Sequence, residues 1–103
     1  MNARTFRPYA QHFTATHAAW FMGWSVAGWY KTATAARKAG HPLPDPVQIP
    51  GQGLMYRRAD LLAWSAKLET VKDARLLRRV GEAARDGARL RVFEAAQGEE
   101  MEA

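Results

Sequence analysis

The residues best placed to do chemistry lie between Ala27 and Lys38. Ala27, Tyr30, Lys31, Thr34 and Lys38 recur at i, i+3, i+4, i+7 and i+11, which sets them along one stripe of a helix. The stripe carries hydroxyls, ammonium groups and short side chains, and no acid. Hydroxyls and ammonium groups bind phosphate, and short side chains allow close approach to base edges. The chemistry offered is non-covalent recognition of a nucleic-acid duplex. On charge pattern alone, the same stripe also reads as an ordinary solvated face.

Other constellations are too sparse for catalysis. His12, His17 and His41 have no cysteine to support them, and a catalytic metal needs three clustered protein ligands. Ser25 and Ser65 are the only serines, and no Ser-His-Asp arrangement is suggested around them. Asp45 lies among prolines, while Asp60 opens a helix at its positive end. Gly51-Gln52-Gly53 lacks the longer pattern and following helix of a phosphate cradle. The sequence therefore predicts no enzyme, no metal, no cofactor and no small-molecule substrate.

Charge distribution agrees with polyanion binding. The net charge is +5 over 103 residues. Residues 1–60 hold seven lysines and arginines against two acids, whereas residues 61–103 hold eight of each. The excess of positive charge thus falls in the first part, where a polyanion is expected to bind. Between Arg7 and Lys31 nothing is formally charged, which raises the question of a membrane span. Pro8, Gln11, His12, Thr14, Thr16, His17 and Ser25 interrupt that stretch, so it reads as two core-packed helices with no membrane partner.

The elements that must position the stripe follow from local signals. Thr14 is an N-cap for a helix to about Met22, Gly23 breaks it, and Ser25 caps a second helix over about Val26–Ala39. Val26, Trp29, Ala33 and Ala36 are expected to face inward. Gly40 and Pro42 end that helix, and the alternate prolines of His41–Val47 force an extended path. Val47–Ile49 and Leu54–Tyr56 flank Pro50-Gly51-Gln52-Gly53 as a hairpin, and a third helix begins at Ala59.

The order of these pieces carries a resemblance. Phe13, Thr14, Ala18, Ala19, Met22, Gly23 and Ser25, then Tyr30-Lys31, then Leu43-Pro-Asp-Pro-Val47 and Arg57-Arg-Ala-Asp-Leu-Leu-Ala-Trp64, resemble the AlpA/excisionase-type helix-turn-helix family, relatives of the MerR winged helices. The resemblance spans residues 13–66. It departs from the family in about four extra residues between Tyr30 and Gly40, in one more in Gly40-His-Pro-Leu43 before Pro44-Asp-Pro46, and in His17 where Glu is usual. It implies that Ala27, Tyr30, Lys31, Thr34 and Lys38 face DNA, with Arg37 on a flanking phosphate. Gln52 at the wing tip and Arg57 and Arg58 at its base would meet backbone or minor groove. Trp29 and Trp64 match core positions. Trp20 covers Phe6 and Tyr9 or lies in a dimer contact. Arg4 and Arg7 stand where a minor-groove arm would be, a disordered terminus being the plainer reading.

Beyond residue 66 the pattern weakens. Leu61, Trp64, Leu68 and Val71 form a heptad-like seam, restarted out of phase by Leu77, Val80 and Ala84. Glu82–Arg85 and Asp86–Arg89 are spaced as helical ion pairs, while Gly81 and Gly87 weaken the helix. A helix with one apolar stripe is expected to form a homodimer, folding back onto the domain being the alternative. The expected fold is mainly α: a winged helix-turn-helix with a short two-stranded β-hairpin wing and a long C-terminal helix. Its parts are a basic arm (1–12), the DNA-binding domain (13–66), a helical extension (67–97) and an acidic frayed tail (98–103). The expected function is sequence-specific double-stranded DNA binding, as a transcriptional regulator or excisionase of a phage or mobile element. It would be bacterial or phage-encoded, cytoplasmic and DNA-associated. The alternative is a DNA-packaging subunit similar to phage small terminases.

Overall fold

The computed structural model describes residues 6–102, with side chains through Arg91. Arg4 therefore lies outside the described residues. The described chain is mainly helical with a small antiparallel sheet: β1 (His12–Phe13), α1 (Ala15–Phe21), α2 (Val26–Lys38), β2 (Val47–Ile49), β3 (Gly53–Arg57), α3 (Arg58–Leu68) and α4 (Ala74–Glu102). No described helix is long and apolar enough to cross a membrane.

Both expected N-caps form. Thr14 Oγ1 accepts from the His17 amide at 3.2 Å and Ser25 Oγ from the Gly28 amide at 2.9 Å, each satisfying one donor that the helix cannot. The hairpin pairs Val47 with Met55 and Ile49 with Gly53. At its tip, Pro50 and Gly51 (φ 79°) take the central places of a turn closed by the Gln52 amide on the Ile49 carbonyl at 3.0 Å. The sheet has three strands rather than the expected two, in the order β1-β3-β2. The end of the arm supplies the third, with His12 opposite Arg57 and Phe13 opposite Tyr56. A two-residue strand has too little period to be seen in sequence.

The core gathers Phe13, Ala18, Ala19, Trp24, Trp29, Ala36, Leu61, Trp64, Leu76 and Ala83. Trp64 Nε1 donates to the His41 carbonyl at 3.0 Å, and the two rings stack at 5.0 Å, tying the proline segment to α3. Trp20 meets Phe6 edge-on at 5.9 Å, whereas Tyr9 is left exposed. His17 lies between those rings, its Nε2 buried without a hydrogen-bond partner, and burial pulls its pKa below the ordinary histidine value.

The inward face of α2 is rotated from expectation. Gly28, Trp29, Thr32 and Ala36 are buried, while Val26 and Ala33 are only half-buried. The reason is α4, which folds back and packs along α2. The interhelical contact is close: a Cβ on Gly28 would come within 2.8 Å of Ala83 Cβ. A Cβ on Gly87 would run into the Gly23 carbonyl oxygen and lie 2.8 Å from the Gly23 and Trp24 carbonyl carbons. Gly28 and Gly87 thus set the distance between α4 and the α1–α2 unit, and the helix propensity each forgoes is outweighed by packing.

The expected seam from Leu61 through Val71 is interrupted, and the extension does not run unbroken from residue 67. The chain turns at 69–73, where the Thr70 amide and hydroxyl both bond the Lys67 carbonyl. Asp73 then caps α4, its Oδ1 accepting from the Arg75 and Leu76 amides at 3.0 Å each. This restarts the register, so Leu76, Val80 and Ala83 face inward, whereas Leu77 and Ala84 are exposed. Neither expected ion pair forms; Glu82 pairs instead with Arg79 at 3.0 Å. The backbone stays helical to Glu102, across the end expected to fray.

Candidate nucleic-acid interface

Docking of α4 on the back of α2 decides which face of α2 is free. Ala27, Tyr30, Lys31, Thr34, Arg37 and Lys38 are all exposed, on the side of the helix opposite Gly28, Thr32 and Ala36. Tyr30 is 59% exposed, a high value for an aromatic ring on a folded helix. The helix carries no acid from Val26 to Lys38. The Thr34 hydroxyl donates to the Tyr30 carbonyl at 3.3 Å, a long bond that an external acceptor can replace at little cost.

Arg37 stands beside a cleft of about 150 Å³ formed with the proline segment and Tyr56. Tyr56 packs edge-on against Trp29 at 5.0 Å, and its pKa is raised by burial first, then by Tyr30 and Asp45. It is held as a neutral phenol there. Gln52 is exposed at the hairpin tip next to Leu54, which is 63% exposed.

Arg57 and Arg58 separate in role. Arg57 is exposed at the end of β3. Arg58 is half-buried; its Nε donates to the Pro8 carbonyl at 3.2 Å and its guanidinium lies 5.4 Å from the centre of the Phe21 ring. Arg58 therefore fastens the N-terminal segment to α1, a structural use that its place beside Arg57 does not reveal.

Sequence reasoning missed a group of cations on α4. Arg75, Arg78 and Arg79 line a cleft of about 330 Å³ together with Lys31, Thr34, Ala35 and Lys38 of α2 and with Asp73. Adding charge over residues 61–103 hides them, because the balancing acids lie elsewhere along the chain. The signal available was local: Lys72 to Arg79 holds four bases and one acid, and that acid is placed to cap a helix. Among the described residues there is no group of histidines and acids that could hold a metal ion. No protein-family model, curated protein or solved structure matches the chain.

Proposed function

We propose that the chain is a sequence-specific double-stranded DNA-binding protein, in which α1 and α2 form a helix-turn-helix and β2–β3 its wing. One observation carries this reading: the cationic, acid-free stripe of α2 faces solvent along its whole length, while the opposite face is fully engaged by the rest of the chain. A helix so supported enters a major groove without rearrangement. Lys31, Lys38 and Arg37 would contact phosphates and set register, and Ala27, Tyr30 and Thr34 would lie against base edges. Arg57 and Gln52 would follow the backbone beside the wing. The roles of transcriptional regulator and excisionase both fit this interface. Leu76, Val80 and Ala83 of α4 are packed within the chain, so a homodimer would have to pair through other residues.

The test is duplex binding measured against salt. Log K is expected to fall with log salt with a slope of several units, since each neutralised phosphate contributes about 0.9. Lys31→Ala with Arg57→Ala should weaken binding strongly and leave the helical circular-dichroism signal intact. A flat salt dependence, or no binding at low salt, would remove the reading. Selection from random duplexes would then give the site, and the mass of the complex would separate a regulator from a ring-forming packaging subunit.

A further inference from the structure

The cleft between α2 and α4 has an electrostatic oddity that the fold alone does not require. Five of its eight lining residues are cations: Lys31, Lys38, Arg75, Arg78 and Arg79. Only Arg79 has a carboxylate partner, Glu82; among the described residues the other four make no ion pair. The single acid in the lining, Asp73, already accepts two amides of its own helix. Three of the arginines also lie within the first two turns of α4, whose first turn holds no acid. Cations at that end oppose the helix dipole and repel one another, and Asp73 is the one anion in the lining to offset five positive charges, so entry of a further anion is favoured.

We infer that this cleft is a phosphate clamp, in which Arg75 and Arg78 of α4, with Lys38 and Thr34 of α2, grip the phosphodiester backbone of one strand of the bound duplex. The inference rests on the DNA-binding reading and adds a second element to it. Lys31, Thr34 and Lys38 belong both to the cleft and to the exposed stripe, so the cleft opens on the flank of the proposed reading helix. A strand whose bases meet α2 must carry its phosphates past that flank. Guanidinium groups present paired N–H donors that fit phosphate oxygens, and the Thr34 hydroxyl supplies a further donor. The helix that supports α2 from behind would thereby also fix where α2 sits along the groove.

The test compares Arg75→Gln/Arg78→Gln with Arg85→Gln/Arg89→Gln. Both pairs remove the same charge from exposed positions of α4, but only the first touches the cleft. The cleft variant should lower the salt slope of duplex binding by about 2 and weaken binding alike for specific and unrelated duplexes. The control should keep the wild-type slope. Equal falls in both variants would show an effect of net charge and overturn the clamp, as would no change in either. A wild-type protein that binds no duplex is a different result and removes the functional reading itself. Inorganic pyrophosphate, titrated at constant ionic strength against tryptophan fluorescence, checks the source of the phosphate. No saturable binding is expected below millimolar concentration. Tight binding lost in the cleft variant would assign the cleft to a free anion instead.

Discussion

Replacing each of two glycines in α4 by alanine should move stability in opposite directions. In an open helix interior, Gly→Ala stabilises by about 1 kcal/mol, because alanine loses less backbone entropy on folding. Gly81 is such a place, since nothing lies within 4 Å of a Cβ built there. Gly81→Ala should raise Tm by roughly 4–8 °C, the shift that about 1 kcal/mol produces in a domain of this size. At Gly87 the added methyl group meets the backbone of Gly23 and Trp24, which cannot swing aside as a side chain can. Relief requires α4 to lift from the α1–α2 link, which strains the seating of Leu76 and Ala83 and the bond from Arg91 Nη1 to the Trp24 carbonyl. Overpacking of this kind costs about 1–3 kcal/mol, and an unyielding backbone places it near the upper figure. After the helix-propensity gain, Gly87→Ala should destabilise by about 2 kcal/mol and lower Tm by roughly 8–16 °C. Thermal melts followed by circular dichroism measure both. If Gly87→Ala stabilises the protein as much as Gly81→Ala does, α4 is not seated against the link, and the account of the α2 faces falls with it.

Thr32 is fully buried and its hydroxyl has no hydrogen-bond partner. Thr32→Val keeps the shape and removes the unsatisfied group, so a gain of about 1 kcal/mol is expected in urea titration. His17 is more readily protonated in the unfolded chain than in the folded one, so its contribution is complete above about pH 6.5 and declines as pH falls below that value. The unfolding midpoint should drop between pH 7 and 5.5 in the wild type, and the drop should shrink in His17→Gln. Ser25→Ala leaves the Gly28 amide without its acceptor inside the packed helix junction and should cost about 1–2 kcal/mol in chemical denaturation.

Local chemistry was readable along the chain and long-range packing was not. Thr14, Ser25, Gly40 and Pro50-Gly51 mark their boundaries through hydrogen bonds and dihedrals that a few residues determine, and those boundaries agree with the structure. The direction of the α2 stripe was legible too, because charged side chains must reach water. The inward face was misjudged by part of a turn, since Gly28 and Thr32 look unfit for a core until Ala83 is set against them. The restart at Asp73 was hidden behind a heptad-like count that continued through Val71, although the cap residue stood in plain sight. Arg75, Arg78 and Arg79 became part of the candidate site only when the turn at 69–73 brought α4 beside α2.

The order β1-β3-β2 has a consequence for how copies of this protein behave when crowded. The outer side of β3 is closed off by β1, which offers only two residues of its own to a newcomer. The opposite rim is β2, three residues long and bracketed by Pro46 and Pro50, neither of which has an N–H to give. A strand from another molecule would find a short, interrupted ladder on either rim, too little to repay its ordering. The prolines that steer the chain from α2 into the hairpin thus also guard the sheet against accretion into fibres.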